Sequence, residues 1–169
     1  MAGMERTNWL RSARGSSDTA GTNGAPALRD AAHILARAQA DEAAADEARE
    51  RYRMRAIPAL EPDGRIAPLL GPDEQVLAVR RSVMLDRRQA PPRSEASTEL
   101  AGDLYVTSRR LVLVGRLTLS FHLDEIEEAM LSGERLLLVM PGGQGASLDV
   151  AQPRLLRVEI AAARVAASG

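Results

Sequence analysis

From Leu117 to Leu123 the chain reads Leu-Thr-Leu-Ser-Phe-His-Leu, with apolar and polar side chains alternating without a break. A period of two puts each set on its own face of an extended chain, so this segment reads as a half-buried β-strand with Phe121 inward and Ser120 and His122 outward. A single strand is not stable alone. Its neighbours supply partners: residues 104–107, 109–116, 136–140 and 146–150 all carry strand patterns, as do Ile126 and residues 129–131. In 109–116, Leu111 and Leu113 face opposite to Val112 and Val114, which fits a central strand covered on both sides. Leu77, Val79, Val83 and Leu85 share one parity that Arg81 interrupts, which suggests a bulge or a barrel rim. Turns are expected at Ser132-Gly133-Glu134 and over residues 141–145, and a loop over residues 89–95, which hold Pro91-Pro92.

After Pro153 the period changes. Leu156, Ile160, Ala163 and Ala167 fall on one helical face, and Leu155, Val158, Ala162 and Val165 widen it. Proline suits the first turn, where no amide hydrogen is needed. So wide an apolar face must be buried, and the open end of a curved sheet is the natural place. Upstream, residues 28–57 read as a helical extension on the spacing of Leu28, Ala31, Ala32, Leu35 and Ala38, ended by Pro58. Its stripe thins to Ala45, Ala48 and Tyr52, so it is either a solvated helix with one shallow packed face or a self-association arm. Residues 1–27 read as a disordered tail rich in turn formers, in which Trp9 either folds back or anchors a partner. Residues 58–72 form a linker, with a minimal strand at Arg65-Ile66-Ala67.

Composition limits the chemistry. A chain of 169 residues holds one domain with appendages. Without cysteine there are no disulfides, thiolate nucleophiles or thiolate metal sites. No apolar run reaches membrane-spanning length, and no hydrophobic core marks residues 1–24 as a secretory signal, so a cytoplasmic protein is expected. His33 and His122 stand without metal-ligand spacing, and Gly-x-Ser-x-Gly is absent. Gly142-Gly-Gln-Gly145 lies between strands and opens no helix, so it reads as a turn rather than a phosphate cradle. The run Asp124, Glu125, Glu127, Glu128 reads as a solvated turn or a patch that meets arginines on a partner. Arg80-Arg81, Arg87-Arg88 and Arg109-Arg110 would each give one arginine per strand face, and aromatic stacking platforms are scarce, so nucleic acid is not expected. No catalytic residues, metal or cofactor are expected.

The run Gly102-Asp-Leu-Tyr-Val-Thr-Ser-Arg-Arg-Leu-Val-Leu-Val-Gly115 resembles the second and third strands of GRAM-like and bacterial PH-like domains. Gly71-Pro-Asp-Glu-Gln-Val76 is similar to their opening strand, and the Leu123-Asp-Glu-Ile126 step and closing helix follow the same order. The resemblance covers about residues 70–167. It implies a mainly β fold, a seven-strand bent barrel closed by the C-terminal helix over residues 73–167, with Gly102, Tyr105, Thr107, Arg110 and Leu111 as structural motif residues. It also implies a binding module for a protein segment, an anionic lipid or a phosphoinositide. The lipid role would fall to Arg87, Arg88 and Arg93, beside Asp86, Glu95 and Glu99. Across residues 72–150 nine arginines face twelve acids, a net charge of -3, which disfavours an anionic ligand. The leading expectation is therefore a non-catalytic module for an unknown protein partner, with lipid binding as one alternative. Self-assembly through the N-terminal helix, using Trp9, Leu28 and Leu35, is the other.

Overall fold

The computed structural model describes residues 24–88 and 98–168, with side chains from 29 to 87 and from 99 to 168. The loop expected over 89–95 and the expected tail through residue 23 lie outside the described residues. Helix α1 (Gly24–Met54) and a 3-10 turn (Ala67–Leu69) precede the strands β1 (Val76–Arg88), β2 (Thr98–Thr107), β3 (Arg110–Gly115), β4 (Thr118–His122), β5 (Glu128–Ser132), β6 (Arg135–Met140) and β7 (Gln144–Asp149). Helix α2 (Pro153–Ala167) closes the chain. The chain divides into two units, residues 1–34 and 35–169. In the first, residues 24–34 are helical and side chains 29–34 are exposed.

In the second unit every strand pairs antiparallel, in the order β4-β3-β2-β1-β7-β6-β5. The expected closed barrel is not formed: β4 and β5 are two free edges of an open sheet. The cause lies in β1. It pairs with β2 along most of its length but with β7 only from Met84 to Arg88, so two arms diverge from its last residues. Its register shifts between Arg80 and Val83, where Ser82 takes φ 56°, which is the bulge that Arg81 signalled. Helix α2 packs against β1, β2, β5 and β6, and Leu156, Ile160 and Ala163 fill the space between the arms.

The main core joins Val83, Leu85, Leu104, Leu111, Leu113, Phe121, Leu136 and Leu148 with that helix face. Phe121 is buried while Ser120 and His122 are exposed, as alternation required. A second cluster of Ile66, Val76, Tyr105, Val112 and Val114 covers the outer face of β1–β3. Residues 58–72 lie over it as a strap. The minimal strand expected at Arg65-Ile66-Ala67 is instead a turn. The Asp63 carbonyl accepts from the amides of Ile66 (3.2 Å) and Ala67 (3.0 Å), and its carboxylate accepts from those of Arg65 and Ile66. An Asx-type turn captures the local donors before a ladder forms, and the strap's one bridge to the sheet is Leu60 with Val76. The apolar face of α2 is buried only as far as Ala163; Ala167 is exposed, and Val165 is 77% exposed.

Candidate functional site

The motif residues are each satisfied inside the fold. Gly102 lies opposite Gly115 in the β2–β3 ladder. A Cβ on Gly102 would meet the Val114 carbonyl oxygen at 2.6 Å, and one on Gly115 the Ala101 oxygen at 2.0 Å, so two backbones approach where only glycine fits. Leu111 is in the main core. The Arg110 guanidinium donates from Nε to Glu74 Oε1 (2.9 Å) and from Nη2 to Glu74 Oε2 (3.1 Å) and the Leu69 carbonyl (2.6 Å). Thr107 places its hydroxyl 2.7 Å from Glu74 Oε1 and accepts the Arg110 amide at 2.9 Å. Burial would raise the Glu74 pKa, but hydrogen bonds from Arg110, the Gly71 amide and Thr107 outweigh it and hold it at about 2.

Tyr105 works on the strap. Its hydroxyl donates to Asp63 Oδ2 at 2.8 Å, and the Arg81 guanidinium lies 5.8 Å from its ring centroid while binding Asp103 and Asp63. The Tyr105 hydrogen bond, helped by Arg81 and the Arg65 and Ile66 amides, brings the Asp63 pKa down to about 2. Arg65 joins Asp103 at 2.7 Å. Glu74–Arg110 and Asp63–Arg81 thus fasten the strap from two ends, which leaves these groups engaged with one another rather than with a ligand.

Strand register places the backbones of Arg87 and Arg88, two of the three proposed lipid residues, at one end of the sheet. Arg87 pairs with Thr98 and Ala146, and Arg88 with Gly145 beside the β6–β7 turn. In that turn Gly142 and Gly143 both take φ 73°. The β3–β4 turn reaches the same end, with Arg116 exposed and without a carboxylate partner among the described residues. Arg87 Nε is buried without a hydrogen-bond partner. Asp86 and Glu99 sit across from each other in the ladder. Arg93 lies outside the described residues, as does the side chain of Arg88. Of the proposed interaction residues, Leu35 is 59% exposed, the Leu28 side chain is not described, and Trp9 lies outside the described residues.

The feature that periodicity did not reveal is the junction of α1 with α2. No side chain at Gln152, the N-cap position, caps α2. Asp41 takes that place from another element, its carboxylate accepting the amides of Arg154 (2.8 Å) and Leu155 (3.0 Å). An acid at a helix N-terminus satisfies orphan donors and meets the positive end of the dipole. Arg154 completes the junction with Asp41, Glu42 and Glu134. Ala45 and Ala48, small enough for close approach, are buried against Val158. On the inner side of α2, Glu159 is buried against Arg80 at 2.6 Å; burial raises its pKa, and Arg80 opposes the rise. Asp41 meets the start of α2 and Ala45 and Ala48 meet Val158, so the helices run in the same sense, and toward their C-terminal ends lies a groove of about 520 Å³. Tyr52, Met54, Ile57, Val158, Ala162 and Val165 give it an apolar surface, and Arg49, Arg53 and Arg55 line it from α1 and the residues that follow.

Among the described residues no group of three or more His, Cys, Asp or Glu is arranged to hold a metal ion, and no helix is long and apolar enough to cross a membrane. No family model matches the chain, and none of the curated proteins does. Among solved structures, the Vps36 N-terminal PH domain is similar with a TM-score of 0.45 and 17% identity, over 66% of this chain and 92% of that one. The C-terminal domain of an unknown protein from Leishmania infantum gives 0.46 and 14%, over 60% and 92%. A structure of Vav1 inhibited by an allosteric inhibitor gives 0.40 and 14%, over 85% and 37%.

Proposed function

We propose that the chain is a non-catalytic interaction module that holds a segment of another protein in the groove between α1 and α2. The observation that carries this reading is the groove itself, an apolar concavity with unburied side chains at its edges: Met54 is 80% exposed and Val165 nearly as much. Fully burying a side chain of this size is worth about 1.5–3 kcal/mol, so a partner covering both has a substantial driving force. The Asp41 cap and the Ala45/Ala48 seam fix the walls in advance, which lowers the ordering cost of binding. The test is a displayed peptide library panned on the full chain, with binders re-measured on Val165→Asp and Ala161→Asp. Both positions are exposed, so the fold should survive. Binders that lose affinity on both variants are expected; binders indifferent to both would contradict the reading.

The Arg116 and Arg87 end favours a second, weaker reading, an anionic surface attracted to Arg87, Arg88 and Arg93. Each basic residue near such a surface contributes about 1 kcal/mol, screened at physiological salt, and Asp86 and Glu99 subtract from the same local potential. Co-sedimentation with phosphoinositide vesicles and equally charged controls should show no headgroup selectivity. Tight, selective retention lost in an Arg87→Ala/Arg88→Ala variant would put lipid first. Self-assembly through α1 would instead show as a dimer mass in solution that Leu35→Arg reduces to one chain.

A further inference from the structure

We infer that the segment held in the groove is an amphipathic helix with an acidic residue beside its apolar stripe, and that Arg55 is the residue that meets the acid. This rests on the interaction-module reading and adds the chemistry of the occupant. The lining contains three cations and no anion. Two of the three are already matched: Arg49 pairs with Asp46 and Glu42, and Arg53 with Glu50 at 2.9 Å. Arg51 and Arg53 also sit in the last turn of α1, and Arg164 in that of α2, where they offset the negative ends of two dipoles.

Arg55 differs in having no partner of its own among the described residues. It follows the end of α1, it is exposed, and its side chain has no hydrogen-bond or carboxylate partner among the described residues. Glu159, the acid on the neighbouring stretch of α2, is buried with Arg80 and does not line the groove. An exposed arginine at the lip of an apolar groove is the arrangement that selects acid beside apolar residues.

The occupant's secondary structure follows from the walls. Where the walls are helical, in α2 and in α1 as far as Met54, the backbone hydrogen bonds are internal and offer no open ladder to an extended strand. The groove offers instead the ridges and furrows that a third helix packs into. The lining runs over residues 158–166 of α2, about 13 Å along its axis, and faces the end of α1 and the residues after it from 49 to 57, room for roughly two turns of a partner. A flat bilayer does not fill a concave surface of this shape.

The test uses two pools of helix-patterned peptides with apolar residues fixed at i, i+3, i+4 and i+7. The other positions are Glu or Gln in one pool and Lys or Gln in the other. Fluorescence anisotropy is measured against the full chain, Arg55→Glu and Val165→Asp, each variant first shown to keep its unfolding midpoint. We expect the acidic pool to bind at least about tenfold tighter than the basic one, Arg55→Glu to abolish or reverse that preference, and Val165→Asp to remove binding of both. Equal binding of the two pools, still lost on Val165→Asp, would overturn the acidic-helix inference and leave the interaction module standing. Absence of any binding that depends on Val165 would overturn both. Vesicles containing phosphatidylserine that bind through Val165 and Arg55, with neither pool binding, would assign the groove to a membrane and overturn both as well.

Discussion

Glu74 illustrates how one side chain carries several local decisions. It receives Arg110, Thr107 and the Gly71 amide, closing the turn that sends the strap into β1. Glu74→Gln should cost about 2–3 kcal/mol in denaturant unfolding, below the roughly 3–5 kcal/mol for breaking a fully buried pair, because Arg110 stays partly solvated. Its folded pKa of about 2 lies below the unfolded value. The stabilisation from this carboxylate is therefore complete above about pH 4.5 and is lost as pH falls toward 2. Asp63 contributes over the same window with the same sign. A stability–pH profile should thus descend through that interval, and Glu74→Gln should flatten it; an unchanged acid limb would contradict the assignment. Gly115→Ala should destabilise by about 1–3 kcal/mol, since the clash is with a carbonyl that no rotamer change relieves. Gly102 and Arg110 were legible as members of a motif. Asp63 as partner of Tyr105 was not, because a strap crossing a sheet face leaves no periodic trace.

Among the elements, the strands were the most legible and the helices were legible only one at a time. The alternation in β4 and the two-sided apolar pattern in β3 both correspond to observed burial, because side-chain parity is a local property. The wide face of α2 was also visible, but not its division: Leu156, Ile160 and Ala163 enter the sheet's core, while Val158 packs on α1. Leu156→Ala should cost about 2–5 kcal/mol in a core with so few aromatic side chains. Asp41→Ala should cost about 1–2 kcal/mol and speed amide exchange at Arg154 and Leu155, whereas Asp41→Asn should retain much of the cap. If Asp41→Ala left those two amides as protected as in the parent chain, the cap would not hold α2. The contact joins residues more than a hundred positions apart, and neither partner's own segment shows the other's presence.

For the whole molecule, closure was the expectation that failed. Every strand of a closed barrel reads like a strand of an open, bent sheet, and the difference lies in whether β4 meets β5. That depends on how far β1 spans both arms before they diverge, a quantity set by its bulge and by the size of the helix between them. The same geometry leaves the last turn of α2 projecting beyond the core, where α1 meets it to form the groove. Backbone NMR of the full chain, titrated with a peptide selected for binding, tests this account most directly. The account predicts shift changes at residues 49–57 and 158–166, with the sheet end around Arg87, Arg116 and Gly145 unmoved. Changes concentrated at that sheet end, with the groove silent, would contradict it.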